Sequence, residues 1–370
     1  MPADRTEAMH AFLARAGWGE ATCIPLPGDA STRRYIRLRL KDRPALLMDQ
    51  PQAAETPVAP ANATANERHA LGYNAVARLA GADCGRFVAA AKYLRSQGLS
   101  APEIYADDIA QGFVLIEDLG DDLFADVLAK GADEPVLYAT SAEVLARLHA
   151  TEAPALLPPD KTLFFYDETA LLAEVDLLTE WFFPVALGRN ADPAEIEEHR
   201  ALWRKALEPY LQSPSVFVHR DYHAQNLLWL PERRGLARVG LIDFQDAVAG
   251  AKAYDMVSLI EDARRDVSPA VSSATAAHYL HAMREQGAPL DEETFAEEMA
   301  VFAAQRNAKI VGIFARLFRR DGKPRYLSYL PRVWSYLESD LEHPALTALK
   351  SWYDRAVPQE ARGIPRNEGA

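Results

Sequence analysis

The segment from His219 to Asn226 contains side chains suited to phosphoryl transfer. It reads HRDYHAQN, and an aspartate follows a short apolar run downstream at position 243. Transfer of a phosphoryl group to a hydroxyl needs one carboxylate that orients and deprotonates the acceptor. It also needs a carboxylate and an amide oxygen that hold Mg²⁺ on the phosphates. Asp221 is the candidate base, and Asn226 and Asp243 are the candidate metal ligands.

The spacing within this segment supports the same interpretation. An H-x-D triplet followed five residues after the aspartate by asparagine is the catalytic-loop pattern of kinases. Asp243-Phe244-Gln245 then stands where protein kinases have Asp-Phe-Gly. A lone triplet would fit polar residues that only satisfy backbone groups, but three spaced elements favour a catalytic site. We expect Asp255 to fix the catalytic segment by hydrogen bonds rather than to touch substrate.

Short apolar runs on either side of these residues predict the strands that position them. The predicted strands are Val216–His219, Leu227–Leu230 and Val239–Ile242. The polar residues lie in the turns that follow the first and the third of these strands. We expect both turns to open at one edge.

The N-terminal part of the chain predicts a helix followed by an antiparallel sheet. Helical apolar spacing covers residues 5–17, and a Pro- and Ala-rich loop covers residues 51–66. Strands are predicted at Thr22–Leu26, Arg34–Leu40, Ala45–Asp49, Ile104–Ala106 and Phe113–Ile116, and helices at Glu67–Leu79 and Arg86–Gln97.

Helical spacing dominates the remainder of the chain. Predicted helices cover Leu123–Lys130, Val136–Ala150 and Thr169–Leu187. The fold class is therefore α+β. We predict a small antiparallel β N-lobe over residues 1–119, with an insertion near 51–85, and a larger, mainly helical C-lobe over residues 120–370.

The composition excludes several other classes of protein. Lysine and arginine number 40 against 53 acidic residues, and the net charge of −13 disfavours a nucleic-acid or anionic membrane partner. Two cysteines form no paired framework, which is typical of a reducing compartment. No window approaches the roughly 20 apolar residues of a membrane span. We expect a cytoplasmic monomer.

The residues His219–Asn226 with Asp243 resemble the aminoglycoside phosphotransferase-like family of kinases. The resemblance covers nearly the whole chain and implies a bilobal, protein-kinase-like fold that uses ATP and Mg²⁺. It also implies that Glu117–Gly120 is the hinge that reads adenine, and that the loop between the first two strands covers the phosphates. The implied nucleotide-binding residues are Gly28, Ser31, Thr32, Glu117 and Leu119.

One departure from the protein-kinase pattern concerns the ATP phosphates. The third strand has no lysine, and the helix Arg86–Gln97 has no glutamate to pair with one. Loss of both partners of a buried ion pair is less harmful than loss of one. Three arginines remain open as replacements or as plain surface residues: Arg33, Arg34 and Arg43.

Four runs resemble, within that family, the kinases that act on amino sugars of bacterial cell-wall recycling. These are LIEDLGDDLF (115–124), VHRDYHAQNLL (218–228), VGLIDFQDAVAGAKAYDMVSLIEDA (239–263) and AAQRNAKIVGIFARLFRRDGKPRYL (303–327). The resemblance implies the anomeric C1 hydroxyl of N-acetylmuramate or N-acetylglucosamine as acceptor. The candidate substrate-binding residues are Tyr166, Glu174, His223, Asp246, Asp262, Arg265, Gln305 and Arg306, with Arg264 as another candidate for a ligand carboxylate.

Two other functions remain open at this level. A kinase of the same chemistry can act on an aminoglycoside, on homoserine or on a choline-like alcohol. The missing strand lysine also allows a nucleotide-binding pseudokinase. The joint presence of base, amide and metal carboxylate favours an active enzyme.

Overall fold

A computed structural model describes residues 3–27, 33–51, 58–211 and 215–365 of the chain. The chain packs into two compact units. The first unit comprises Met1–Asp133, Pro154–Phe164 and Ala224–Ala247, and the second comprises Glu134–Ala153, Phe165–His223 and Val248–Ala370. The predicted α+β class is confirmed, since an antiparallel sheet near the N-terminus is followed by a mostly helical remainder. The division into lobes at residue 120 stays a prediction.

Thirteen α-helices are assigned in the described part of the chain. In chain order they are α1 (Ala3–Arg15), α2 (Ala65–Leu71), α3 (Tyr73–Val76), α4 (Cys84–Ser96), α5 (Phe124–Ala129), α6 (Glu134–His149), α7 (Glu168–Leu177), α8 (Pro193–Leu211), α9 (Ala253–Ile260), α10 (Pro269–Glu285), α11 (Glu292–Arg319), α12 (Leu330–Asp340) and α13 (Thr347–Ala356). None of these described helices is long and apolar enough to cross a membrane.

The strands of the described residues are short. They are β1 (Thr22–Pro25), β2 (Arg34–Leu40), β3 (Arg43–Asp49), β4 (Ile104–Asp108), β5 (Phe113–Ile116), β6 (Leu156–Leu157), β7 (Lys161–Thr162), β8 (Phe164–Phe165), β9 (Val216–Val218), β10 (Leu227–Trp229), β11 (Val239–Leu241) and β12 (Val248–Gly250). The five strands β1 to β5 form an antiparallel sheet in the order β1-β2-β3-β5-β4, and β10 pairs with β11.

The sheet of the first unit is stabilised by α1, which packs on one of its faces. Ile36 and Leu38 alternate with less buried neighbours along β2, as expected for a strand with one buried face. Phe12 of α1 stacks on Phe113 of β5 with ring centroids 5.6 Å apart, and both rings belong to one apolar cluster. This packing holds β2 and β3 against α1.

Two predicted helices differ from those observed. The helix predicted at Glu67–Leu79 is broken into α2 and α3 at Gly72, whose φ of 98° suits glycine but few other residues. The helix predicted at Thr169–Leu187 is α-helical only to Leu177 and continues as a π-helix that contains Pro184. Proline donates no backbone hydrogen bond, and apolar spacing alone does not distinguish an α-helix from a wider turn.

Gly312 of α11 allows this long helix to approach the end of α7 in the second unit. A Cβ atom at position 312 would lie closer than 3.0 Å to the backbone carbonyl of Leu177. The Gly312→Ala variant should therefore be destabilised by about 1–3 kcal/mol, although alanine is the better helix former. Chemical denaturation would measure this change. Gly363→Ala is the control, because a Cβ there meets nothing within 4 Å and stability should stay the same.

Candidate active site

Asn226 and Asp243 lie at the same end of the β10–β11 ribbon in the first unit. Leu227 pairs with Leu241 in the antiparallel register, and the Ile242 N–H donates to the Asn226 carbonyl at 3.2 Å. Asn226 thus directly precedes β10, while Asp243 comes shortly after β11. Asp243 has a φ of 64°, a left-handed conformation that is uncommon for residues other than glycine and often occurs at functional sites.

The carboxylate of Asp243 is held by an arginine and a glutamine of the same unit. Arg33 Nη2 lies 2.8 Å from Asp243 Oδ1, and Gln245 Nε2 donates to the same oxygen at 3.1 Å. Arg33 Nη1 also donates to Gln245 Oε1 at 2.5 Å. Asp246, beside them, accepts hydrogen bonds from Gln245 Nε2 at 3.2 Å and from the Ala80 N–H at 2.5 Å. These contacts orient the carboxylate.

The oxygen atoms at this end of the ribbon fit Mg²⁺. Magnesium takes carboxylate and amide oxygens, and in phosphate-transferring enzymes it uses few protein ligands because phosphates and water supply the rest. The side chain of Asp243 is 38% exposed. Within the described ranges, no group of three or more His, Cys, Asp or Glu side chains is placed to hold a metal.

The predicted nucleotide-binding residues are only partly described. Gly28, Ser31 and Thr32 lie outside the described residues. The Glu117 N–H donates to the Glu103 carbonyl at 2.8 Å, and its carboxylate pairs with Arg233 at 2.5 Å, so both groups have structural partners. Leu119 follows, 9% exposed. A role of residues 117–119 in nucleotide binding stays a prediction.

Asp255 of α9 fixes the candidate catalytic segment in the second unit. Its carboxylate accepts hydrogen bonds from the backbone N–H groups of His219 at 2.6 Å and Arg220 at 2.9 Å. Burial raises the pKa of Asp255 to about 7, although the two hydrogen bonds oppose that shift. Arg220 has a φ of 75°, which turns the chain directly before Asp221. The expectation that Asp255 holds this segment is confirmed.

A fully buried carboxylate, that of Glu174 in α7, is bound by four side chains of the second unit. Its Oε1 lies 2.5 Å from Arg220 Nη2 and 2.9 Å from Lys309 Nζ. Its Oε2 accepts hydrogen bonds from the Tyr166 hydroxyl and, at 3.2 Å, from Gln305 Nε2. Burial alone would raise the pKa of Glu174, but Lys309 and Arg220 together hold it below its ordinary value. We call these five residues the Glu174 cluster.

Three residues that the sequence suggested for sugar binding belong to this cluster. Tyr166, Glu174 and Gln305 are each at most 2% exposed, and Tyr166 and Gln305 both bind Glu174. Glu174 in turn pairs with Arg220, the residue before Asp221, and sugar contacts of the three residues stay predictions. Lys309 was missed, yet it lies four residues after Gln305 in α11, a spacing that places both on one helix face.

A second group of charged side chains surrounds His223. His223 is 6% exposed, and burial lowers its pKa to about 4. Asp262 and Asp221 raise this pKa, whereas Arg264 and Arg306 lower it further. The imidazole is therefore neutral near pH 7. Asp262 Oδ1 accepts a hydrogen bond from the Arg264 N–H at 2.8 Å, while its buried Oδ2 has no partner in the described part of the chain.

Three other predicted sugar-binding residues have protein partners. Asp246 belongs to the first unit, where it lies beside Asp243 through the contacts with Gln245. Arg265 pairs with Glu134 at 2.5 Å and donates to the Tyr138 hydroxyl at 3.0 Å. Arg306 is 4% exposed and donates to the Glu261 carbonyl at 3.3 Å. Direct sugar contacts of these residues stay predictions.

The chain is similar to known kinases over nearly its full length. It is 44% identical over 365 residues, which are 98% of this chain and 99% of the relative, to an N-acetylmuramate/N-acetylglucosamine kinase of Caulobacter vibrioides. It is 33% identical to a protein of the same name from Pseudomonas aeruginosa, over 87% of this chain and 86% of the relative.

Solved structures and a family model agree with this similarity. A microcompartment-associated aminopropanol kinase matches with a TM-score of 0.59 at 14% identity, over 90% of this chain and 98% of that one. The ADP-bound aminoglycoside phosphotransferase APH(2'')-Ib matches with a TM-score of 0.51 at 13% identity, over 92% and 98%. These matches confirm the protein-kinase-like fold. The model of the phosphotransferase enzyme family matches residues 22–290, and the chain therefore belongs to this family.

Proposed function

We propose that the protein is an ATP- and Mg²⁺-dependent kinase that phosphorylates the anomeric hydroxyl of N-acetylmuramate and N-acetylglucosamine in peptidoglycan recycling. One observation carries this proposal. A base, an amide and a metal carboxylate at kinase spacing occur in a chain 44% identical to an N-acetylmuramate/N-acetylglucosamine kinase over 98% of its length. The phosphotransferase family agrees with this chemistry.

Asp221 is the group we assign to the acceptor hydroxyl. The two residues before Asp221 are held in place. His219 and Arg220 both donate backbone hydrogen bonds to Asp255. The Arg220 side chain also pairs with Glu174, so the backbone at Asp221 is restricted. An anomeric hydroxyl is more acidic than an ordinary alcohol. Asp221 therefore contributes by orienting the hydroxyl and accepting its proton late, which needs a fixed carboxylate more than a strong base.

Asn226 and Asp243 are the residues we assign to the metal. Mg²⁺ bound there would neutralise charge on the phosphate oxygens during transfer. The hydrogen bonds of Gln245 and Arg33 to Oδ1 of Asp243 would orient this carboxylate toward the metal.

Asp262 and Arg306 are the second-unit side chains that best suit an amino sugar. The unpartnered Oδ2 of Asp262 can accept a hydrogen bond from a sugar hydroxyl, which would satisfy a buried acceptor. Arg306 supplies a cation for the lactyl carboxylate that N-acetylmuramate carries and N-acetylglucosamine lacks. Both interact electrostatically with His223, two residues after the proposed base.

The Asp243→Asn variant should lose turnover while it keeps its fold. An amide is a poorer ligand for Mg²⁺ than a carboxylate, and we expect turnover to fall by about a thousandfold. Because the Asp243 side chain is 38% exposed, the unfolding temperature of the variant should stay close to that of wild type. Asp126→Asn, an exposed change in α5 of the same unit, is the control and should leave both quantities unchanged. The metal role would be contradicted if Asp243→Asn kept full turnover. It would also be contradicted if the variant no longer unfolded cooperatively.

The acceptor can be tested by measuring ADP release with purified protein, Mg²⁺ and ATP. We expect turnover with N-acetylmuramate and N-acetylglucosamine, and none above background with kanamycin, homoserine or choline. Turnover with kanamycin alone would replace the proposed acceptor by an aminoglycoside. Absence of turnover with every acceptor, in protein that binds ATP, would contradict the kinase proposal.

A further inference from the structure

The third strand of the first unit contains no lysine that could bind the phosphates of a nucleotide. Arg43 at the start of β3 lies over the Trp18 ring, 5.1 Å from its centroid. Asp49 at its end is fully buried and pairs with Arg5 at 2.5 Å. The helix α4 has the sequence CGRFVAAAKYLRS and contains no acidic residue. The lysine–glutamate pair of protein kinases therefore has no counterpart in β3 and α4.

Arg33 occupies a different position from the other two arginines that the sequence left open. It directly precedes β2, and only 12% of its side chain is exposed. Its guanidinium contacts both Asp243 and Gln245, at 2.8 and 2.5 Å. Arg34 is exposed, and Arg43 is engaged with Trp18. Of the three, Arg33 is the one that contacts the proposed metal carboxylate.

The side chains around Arg33 are acidic or bonded to acidic groups. Asp243 accepts a hydrogen bond from Arg33, and Gln245, which also contacts Arg33, donates to Asp246. Asp243 and Asp246 carry two negative charges against one positive charge on Arg33. This end of the ribbon therefore keeps a net negative charge, which favours a divalent cation. The positive charge of Arg33 reduces the repulsion of a phosphate group.

A guanidinium is suited to exchange a carboxylate partner for phosphate oxygens. Its planar array of donors matches both groups, and it stays charged in either environment. Arg33 shares one oxygen of Asp243 with Gln245, so Gln245 still holds that carboxylate after the guanidinium turns away. The exchange therefore leaves Oδ1 of Asp243 with a hydrogen-bond donor.

We propose that Arg33 binds the phosphate groups of the bound nucleotide and so replaces the strand lysine of protein kinases. In the structure the same side chain contacts Asp243. This inference rests on the proposed kinase function, but it concerns the nucleotide alone and not the acceptor.

Calorimetric titration of the nucleotide without any sugar tests this assignment. Mg²⁺-ADP and adenosine are titrated separately into wild type, Arg33→Gln, Arg33→Lys and the neighbouring control Arg34→Gln. A charge-assisted hydrogen bond contributes enough that Arg33→Gln should weaken Mg²⁺-ADP binding about ten- to a hundredfold. Adenosine, which has no phosphate, should bind all four proteins equally. Arg33→Lys should recover part of the loss, and Arg34→Gln should match wild type.

The alternative is that Arg33 only pairs with Asp243 and contacts no phosphate. Arg33→Gln would then bind Mg²⁺-ADP as tightly as wild type or more tightly, and either result would overturn the proposal. Weakened adenosine binding in Arg33→Gln would also overturn it, because it would indicate a damaged fold instead of a lost phosphate contact. Since no acceptor is present, a wrong assignment of the sugar would leave these outcomes unchanged.

Discussion

The Asp221→Asn variant is expected to phosphorylate amino sugars about a hundred to ten thousand times more slowly than wild type. Removal of a general base typically has an effect of this size, because the amide has nearly the same shape but cannot take the proton. Because an anomeric hydroxyl is more acidic than an ordinary alcohol, we expect the loss of rate to lie toward the smaller end of this range. The rate of sugar-dependent ADP release at saturating ATP measures it.

Two further measurements separate a catalytic role of Asp221 from a structural one. Binding of Mg²⁺-ADP and the unfolding temperature should match wild type, because Asp255 and Glu174 hold the segment through other residues. Asp266→Asn is a matched control, since that aspartate is 84% exposed in the same unit, and it should keep full activity. A variant at position 221 with more than a tenth of wild-type activity would argue against the base.

The Glu174→Gln variant is expected to lose about 3–5 kcal/mol of unfolding free energy. A neutral amide would leave Arg220 and Lys309 buried without their shared counter-charge, and an unpaired buried charge destabilises a protein by this amount. Chemical denaturation at pH 7 measures the difference. Because the pKa of Glu174 is lowered in the folded protein, its stabilising effect is present above the ordinary value of 4.5. The gap between variant and wild type should narrow as the pH falls below 4.5.

A second glutamate of the same helix is the control for this experiment. Glu168 of α7 pairs with Arg204 at 3.0 Å, and both side chains are more than 40% exposed. Exposed pairs contribute little, so Glu168→Gln should change the unfolding free energy by less than about 1 kcal/mol. Equal losses in the two variants, or no loss in Glu174→Gln, would show that the Glu174 cluster does not stabilise the second unit.

Local patterns predicted the parts of the fold that depend on neighbouring residues. The strand predicted at Arg34–Leu40 has the observed bounds of β2, and Phe113–Ile116 those of β5, since apolar alternation and flanking turns define them. The sequence also predicted that the two turns carrying the polar residues open at one edge, and the structure places Asn226 and Asp243 at one end of the β10–β11 ribbon. Each of these features depends on residues that are close together in the sequence, so a short segment is enough to predict it.

The Glu174 cluster could not be predicted in this way. Glu174 contacts Arg220 across 46 residues and Gln305 across 131 residues. A polar residue in an apolar helix can face a ligand or a buried partner, and only the tertiary packing decides between them. The same limit applies to Arg33, which the sequence offered beside Arg34 and Arg43, because its contact with Asp243 spans 210 residues.

The position of the transferred phosphate tests the central claim most directly. Wild-type protein, ATP, Mg²⁺ and N-acetylglucosamine should give one product in which ³¹P couples to the anomeric proton in the NMR spectrum. The methyl glycoside of the same sugar, blocked at C1, should not be phosphorylated. Phosphate at C6 or at another hydroxyl, or turnover of the methyl glycoside, would contradict an anomeric kinase.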